Sequence, residues 1–246
     1  MPELRKDPVI GRWVIIATER SKKPDQFNST SSETQNGECP FCEGKESQTP
    51  PEILALRKHT EANKPGWQVR VIPSVAPFLR IENDLDRRGH GLYDVMNGIG
   101  AHEVIVETPQ HITNIADLPP EQIANVFYTY RERMIDLEKD TRFKYVLVFK
   151  NHGWQAGGGK EKHSRSQIIA TPITPMRVKE ELVGSRQYYE YHERCIFCDI
   201  IKQEIAQKER VVLDIDGFLA VVPFASRFPF EIWILPKKHS SEFINC

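Results

Sequence analysis

The sequence predicts mixed α and β structure that is built twice along the chain, with the second copy incomplete. Three observations lead to this fold: short β-branched runs bounded by turn-forming residues, one long stretch with helical periodicity, and an internal repeat. The chain has 246 residues, of which 39% are hydrophobic and 27% charged. This composition is ordinary for a globular protein and allows one large domain or two small ones.

The first copy is predicted to contain several strands and one long helix. Because Pro119 and Pro120 suit the first turn of a helix, we place that helix at residues 119–139. Apolar residues recur on one face of it: Ile123, Val126, Phe127, Tyr130, Met134 and Leu137. Strands are predicted at residues 12–20, 69–72, 103–107, 145–149 and 168–170. Polar residues 21–38 and 80–100 are predicted to form loops, and residues 177–194 a charged linker helix.

The internal repeat consists of three short segments that recur in the same order. Residues 39–43, 71–73 and 103–111 match residues 195–199, 221–223 and 231–239. In the third pair, an acidic residue opens a strand and a histidine follows eight positions later. Three ordered matches favour duplication over chance. Since the second copy stops at Cys246, seven residues past its histidine, we expect it to be truncated. The expected domains are residues 1–176 and 195–246, joined by a linker at 177–194.

Charge and hydropathy exclude several classes of partner. The net charge is -1, so no basic field favours nucleic acid or acidic membranes. No apolar run approaches the roughly 20 residues that span a bilayer, and the first residues lack the apolar core of a signal peptide. We therefore expect a cytoplasmic protein with neither a nucleic-acid nor a membrane partner.

Two cysteines and two histidines of the first copy form a candidate zinc site. Cys39 and Cys42 supply two thiolates on one turn, and His111 and His163 each lie at a strand end. Two thiolates and two imidazoles suit tetrahedral Zn²⁺. The alternatives are a redox pair or two buried thiols for the cysteines, a surface histidine for His111 and a phosphate contact for His163.

The second copy carries three further candidate ligands, Cys195, Cys198 and His239. They could form three quarters of a second metal site. The alternative is a remnant of the duplication that binds no metal.

A glycine-rich segment precedes His163. Gly157, Gly158 and Gly159 would let backbone N–H groups approach a phosphate closely. The alternative is a flexible loop, because a glycine run alone is weak evidence for a phosphate site.

The segment after those glycines resembles a known family. Residues 163–168, His-Ser-Arg-Ser-Gln-Ile, are similar to the His-x-His-x-Gln strand of galactose-1-phosphate uridylyltransferases and of their relative ADP-glucose phosphorylase. Residues 3–14, 39–42, 108–111 and 148–151 resemble the same family in the same order. The resemblance implies an α+β, histidine-triad-like duplicated fold, with an antiparallel sheet and packed helices in each copy. It also implies zinc, a homodimer, and sugar nucleotide and sugar 1-phosphate as substrates.

The resemblance further implies double displacement, in which a histidine attacks the α-phosphorus and a nucleotidyl-histidine forms. The zinc-ligand histidine of the family strand matches His163, the nucleophile matches Arg165, and the glutamine that holds phosphate oxygens matches Gln167. Arginine remains protonated and has donors only. We therefore expect the family reaction to be impaired here, although Arg165 can still bind a phosphate.

Other substrate contacts follow from the same resemblance. Arg20 and Lys23 match a basic pair of the family, and Asn151 belongs to a matching motif. Ser74 stands where the family has an asparagine after its base-binding strand, and Gly159 where a serine contacts phosphate.

The predicted function is nucleotidyl transfer of the UDP-glucose–hexose-1-phosphate uridylyltransferase type, in carbohydrate metabolism. The alternatives are adenylyl transfer of the ADP-glucose phosphorylase type and an inactive homologue that binds zinc and nucleotides. A zinc-knuckle protein for nucleic acid is disfavoured by the even charge.

Overall fold

The computed structural model describes residues 1–17, 39–153, 156 and 163–245. The chain divides into two compact units, Met1–Pro175 and Met176–Cys246. All three sheets formed by the described residues are built from antiparallel strand pairs. This arrangement confirms mixed α and β structure with antiparallel sheets. No helix in the described part of the chain combines the length and the apolar character needed to cross a bilayer.

The first unit contains two sheets and one long helix, α1 (Pro120–Leu137). The strands, in chain order, are β1 (Glu3–Lys6), β2 (Trp13–Ile16), β3 (Leu54–Arg57), β4 (Trp67–Pro73), β5 (Arg88–His90), β6 (Tyr93–Asn97), β7 (Ala101–Val106), β8 (Tyr145–Phe149) and β9 (Arg165–Thr171). The larger sheet has the strand order β3-β4-β7-β9-β8, and the smaller sheet has the order β2-β1-β6-β5.

Helix α1 covers one face of the larger sheet. Val126, Tyr130 and Leu137 of the helix share a buried cluster with strand residues such as Ile105. The predicted helix is confirmed to within two residues at each end, but Phe127 does not face the core. Its side chain is 47% exposed, because one step beyond Val126 turns it about 100° away from the buried stripe.

The prediction that residues 80–100 form an exposed loop is wrong. β5 and β6 lie there, and Met96 and Ile99 are buried. β6 pairs with β1, so that Leu4 lies opposite Met96. The polar composition of the segment hid these strands, because β6 is held by β1, which lies far away in the sequence, and β5 pairs only with β6.

The second unit contains two helices and a three-stranded sheet among its described residues. Ile201, Leu219 and Val221 form its small buried core. Tyr188 donates to Asp199 at 2.8 Å, which joins the two helices. The elements are α2 (Met176–His192), α3 (Ile196–Gln207), β10 (Val211–Ile215), β11 (Phe218–Val221) and β12 (Trp233–Pro236). The strand order in the sheet is β10-β11-β12.

The repeated segments form strand pairs with the same register in both units. Val71 lies opposite Ile105 where β4 meets β7, and Val221 lies opposite Trp233 where β11 meets β12. The sequence repeat aligns Val71 with Val221 and Ile105 with Trp233. Residues that match in sequence are therefore also paired in the same way.

Candidate metal and phosphate-binding site

Four side chains converge at one end of the larger sheet in the first unit. The ligand atoms of Cys39, Cys42, His111 and His163 all lie within 4.8 Å of one another. The Cys39 and Cys42 sulfurs lie 3.5 and 3.7 Å from Nδ1 of His163, and the Cys42 sulfur lies 3.5 Å from Nδ1 of His111. Zinc–sulfur and zinc–nitrogen bonds of about 2.3 and 2.1 Å give a tetrahedron with edges of about 3.6 Å. These side chains could hold a metal ion of that size.

The backbone around the cluster fixes the orientation of His163. Its Nε2 donates to the carbonyl oxygen of Thr108 at 2.8 Å, so Nδ1 carries the lone pair and faces the cysteines. A hydrogen bond of this kind commonly orients a metal-binding histidine. The cysteine turn is tied to the same segment, because the Glu43 N–H donates to the carbonyl of Pro109 at 3.0 Å.

Burial sets the protonation of the cluster when no cation is present. It lowers the pKa of His163 to about 4, so the ring is neutral near pH 7 and can coordinate a metal. Burial, together with the neighbouring thiol of Cys39, raises the pKa of Cys42 to about 11. A cation bound between the two sulfurs would reverse this shift, because it favours the thiolate form.

Strand β9 presents two different sets of side chains to its two faces. Ser164 and Ser166 are each 1% exposed and face inward, whereas Arg165 and Gln167 lie on the opposite face and are partly exposed. This alternation is the period-2 geometry of a strand. The residues expected to contact phosphate therefore share one face, next to His163.

The inward face of β9 is held by a buried carboxylate. Glu107 is fully buried and accepts hydrogen bonds from the hydroxyls of Tyr130, Ser164 and Ser166. Lys150 approaches the same carboxylate at 2.6 Å. Burial and the nearby Glu107 charge raise the pKa of Tyr130 above its ordinary value. This network joins α1, β8 and β9 directly behind the candidate site.

Arg165 contacts the cysteine turn. Its guanidinium lies 5.1 Å from the ring centroid of Phe41. Phe41 lies between the two cysteines of the turn in the sequence. One of its N–H groups also donates to the carbonyl of His163 at 3.3 Å. The arginine is therefore placed as a cation at the edge of the cluster of candidate metal ligands.

Of the remaining residues predicted to contact the substrate, the structure describes only some. The Ser74 N–H donates to the carbonyl of His102 at 2.9 Å, which places Ser74 beside β7. The Asn151 amide donates to the carbonyl of Ala156 at 2.7 Å, which places it after β8. Five predicted substrate residues lie outside the described residues: Arg20, Lys23, Gly157, Gly158 and Gly159.

A second cluster lies within the second unit. The ligand atoms of Cys195, Cys198 and His239 also lie within 4.8 Å of one another. The Cys198 sulfur is 3.3 Å from Nδ1 of His239, which parallels the contact between Cys42 and His111. Three ligands and their spacing could support a metal ion there as well.

The sequence of the chain matches two models of known protein families. The family model described as the N-terminal domain of galactose-1-phosphate uridyl transferase matches residues 1–175. The model of the C-terminal domain matches residues 181–245. The chain belongs to the galactose-1-phosphate uridylyltransferase family.

Curated and solved members of this family are similar over nearly the whole chain. The ADP-glucose phosphorylase of Arabidopsis thaliana is 37% identical over 98% of this chain and 68% of its own length. The galactose-1-phosphate uridylyltransferase of Thermotoga maritima is 30% identical over 100% of this chain and 70% of its own length.

Two solved structures are also similar. A uridylyltransferase aligns with a TM-score of 0.79 and 30% identity, over 99% of this chain and 69% of its own. The Arabidopsis thaliana ADP-glucose phosphorylase with bound ADP-glucose aligns with a TM-score of 0.74 and 34% identity, over 100% of this chain and 71% of its own.

Within this member of the galactose-1-phosphate uridylyltransferase family, the sequence did not reveal which residues support the site from behind. These supporting residues are Glu107, Lys150, His102 and Phe41, of which Phe41 and Lys150 lie in segments that resemble the family. An acid on an inward-facing strand position needs a buried partner, so the alternation of residues 103–107 carried a signal for Glu107. No comparable signal marks His102 or Phe41, because their contacts depend on strand register and on the turn of the cysteines.

Proposed function

We propose that the first unit binds zinc and the phosphates of a sugar nucleotide, as in uridylyltransferase-type enzymes, but does not form the nucleotidyl intermediate. The observation that carries this proposal is the position of Arg165. It shares one face of β9 with Gln167 and lies beside the four-ligand cluster. A donor-only cation thus stands at the position that corresponds to the family's nucleophile.

The chemistry of the two side chains supports phosphate binding. The Arg165 guanidinium can donate two parallel hydrogen bonds to phosphate oxygens, and the Gln167 amide can donate from its NH₂ group. Neither group can attack phosphorus, because a protonated guanidinium has no available lone pair and an amide nitrogen is a poor nucleophile. The residues present therefore bind the phosphate without replacing the missing histidine.

Zinc would be held by Cys39, Cys42, His111 and His163. When bound, the ion would cross-link the cysteine turn to the ends of β7 and β9 and so stabilise the site. Because His163 immediately precedes Ser164 and Arg165, the ion would also hold the start of the phosphate-binding strand in place.

We infer that the second unit is a second copy of the first, with domains at 1–176 and 195–246 and a linker at 177–194. The equal register of β4 with β7 and of β11 with β12 supports this inference. The parallel cysteine–histidine contacts of the two clusters support it independently.

The second candidate function is adenylyl transfer of the ADP-glucose phosphorylase type, in which the bound nucleotide would carry adenine instead of uracil. The greater identity to the Arabidopsis thaliana phosphorylase, 37% against 30% for the Thermotoga maritima uridylyltransferase, favours it. Calorimetric titration with ADP and UDP distinguishes the two bases. We expect weak binding with less than about a tenfold preference, or about 1.4 kcal/mol, because the predicted contacts are mostly with phosphate. A larger preference for ADP would favour the adenylyl type, and one for UDP the uridylyl type.

The catalytic part of the proposal is tested with UDP-glucose and ADP-glucose labelled in the α-phosphate. After incubation, mass spectrometry of the intact protein should detect no nucleotide adduct. Arg165→His restores a side chain that can act as a nucleophile, and we expect it to gain an adduct at that position. An adduct on the unchanged chain would overturn the proposal. Its absence from a folded, nucleotide-binding Arg165→His variant would mean that Arg165 is not the decisive difference.

A further inference from the structure

His102 lies between Gln167 and the segment that follows β4. Its side chain is on β7 and only 6% exposed. Its Nδ1 lies 3.2 Å from the backbone nitrogen of Phe78, and its Nε2 lies 2.8 Å from Oε1 of Gln167. The imidazole also stacks on the Phe78 ring, with a centroid distance of 5.0 Å and an interplanar angle of 14°. Both ring nitrogens are therefore engaged at once.

These contacts determine which end of the Gln167 amide faces the site. A backbone N–H can only donate, so the His102 Nδ1 must accept from Phe78 and carries no proton. In a neutral imidazole the proton then lies on Nε2, which donates to Gln167. Only the carbonyl oxygen of an amide accepts a hydrogen bond, so Oε1 turns towards His102. The NH₂ group must point the other way.

The orientation matters because phosphate oxygens accept hydrogen bonds and do not donate them. With its NH₂ outward, Gln167 presents two donors to an anion. A flipped amide would instead present its carbonyl oxygen, which repels phosphate. No group in the described part of the chain accepts a hydrogen bond from this NH₂, so both of its N–H bonds remain available to a ligand.

The strand register explains why these two side chains meet. His102 lies opposite Ile169, and Gln167 lies opposite Val104. His102 and Gln167 are thus diagonal neighbours on one face of the sheet, at a separation that long side chains can bridge. The carbonyl of His102 also accepts from the Ser74 N–H at 2.9 Å. One residue therefore connects residues 74–78, expected near the base, with the amide expected at the phosphate.

We propose that His102 is a positioning residue that, as the Nε2–H tautomer, orients the Gln167 amide for phosphate binding. This inference rests on the proposed phosphate-binding function of the β9 face. It assigns His102 no contact with the substrate and no proton transfer. Its effect on a ligand passes through Gln167 alone.

Two substitutions separate the contacts of the imidazole. His102→Asn can still accept from Phe78, because its amide oxygen lies near the Nδ1 position, but it cannot reach Gln167. His102→Gln can reach Gln167 with its NH₂ group and serves as the matched control. We expect His102→Asn to weaken ADP and UDP binding about fivefold to tenfold, the effect of losing about one oriented hydrogen bond. His102→Gln should remain within about twofold of the unchanged chain, and adenosine and uridine should be unaffected.

A double-variant cycle with Gln167→Ala tests whether the effect passes through the amide. Once Gln167 is truncated, His102→Asn should have no further effect on nucleotide affinity. If the effects of the two substitutions on nucleotide affinity multiply instead, the positioning role is wrong. It is also wrong if His102→Gln binds as weakly as His102→Asn. Thermal unfolding of each variant shows whether it is folded.

A measurement without nucleotide distinguishes failure of this inference from failure of the proposed function. Nitrogen-15 NMR of the imidazole should show His102 as the neutral Nε2–H tautomer. A protonated ring or the Nδ1–H tautomer would overturn the inference whatever the protein binds. If the tautomer is as expected but Gln167→Ala binds ADP and UDP as tightly as the unchanged chain, phosphate binding by Gln167 is refuted, and the inference with it.

Discussion

Replacing Lys150 by methionine should destabilise the first unit by leaving a buried charge without its counterion. Glu107 is fully buried, and the Lys150 ammonium lies 2.6 Å from it. Lys150 also donates to the Ser164 hydroxyl at 3.0 Å and to the Arg165 carbonyl at 3.1 Å. Lys150→Met keeps the length and apolar stem of the side chain but removes the charge and all three hydrogen bonds.

The magnitude follows from the burial of the pair. Removing one partner of a buried ion pair destabilises by about 3–5 kcal/mol. The Lys150 side chain is 21% exposed, and Glu107 keeps the hydroxyl donors of Tyr130, Ser164 and Ser166, so the lower end applies. We expect a loss of about 3 kcal/mol, or about 6–12 °C in melting temperature for a unit of this size.

Urea denaturation followed by tryptophan fluorescence measures this loss. Trp13 and Trp67 lie in the first unit. Glu107→Gln combined with Lys150→Met is the control, because it removes both charges with little change in volume. The double variant should recover at least half of the lost stability. The reasoning is wrong if Lys150→Met loses less than about 1 kcal/mol, or if the double variant is less stable than the single one.

The remaining predictions concern zinc and alkaline stability. Protein purified without added zinc should contain about one Zn²⁺ in the first unit. Cys39→Ala with Cys42→Ala should remove that ion and lower the melting temperature, whereas unchanged zinc content would contradict the assignment. Tyr130 has a raised pKa in the folded state, so its contribution to stability is fully present below its unfolded pKa of about 10 and is lost as pH rises above that value. When the free energy of unfolding is measured between pH 8 and pH 11, Tyr130→Phe should lose less stability with rising pH than the unchanged chain. Equal losses in the two proteins would show that Tyr130 is not the cause.

Local signals in the sequence predicted part of the fold well. Helix α1 was predictable because its prolines and apolar stripe lie within its own residues. β7 and β8 were predictable because β7 contains the run Val-Ile-Val and β8 consists of aromatic, Val and Leu residues, which favour strands. β5 and β6 were not, because their sequences are polar and β6 becomes a strand through pairing with β1, which lies far away in the sequence, while β5 then pairs with β6. Phe127 was misplaced because an apolar residue at the edge of a helical stripe can face either way.

The candidate site, like the fold, could be predicted only in part. The candidate metal ligands and the Arg165 substitution could be named from residue type, spacing and family resemblance. The contacts behind them could not, since they depend on register. Glu107 meets Ser164 and Ser166, and His102 meets Gln167, only because β7 and β9 pair at one particular offset. A shift of one residue would move each of these side chains to the wrong face.

The alternation along β9 has a consequence for laboratory evolution of this domain. From Arg165 to Thr171, every second residue is buried. Randomising positions 165, 167 and 169 would therefore sample new surface chemistry next to the candidate metal ligands while leaving the packed side chains unchanged. Randomising positions 164, 166 and 168 would mostly yield variants that fail to fold. If the exposed face of β9 binds phosphate as proposed, ligand recognition and folding depend on alternating codons of one short stretch of the gene, and selection could change the first without altering the second.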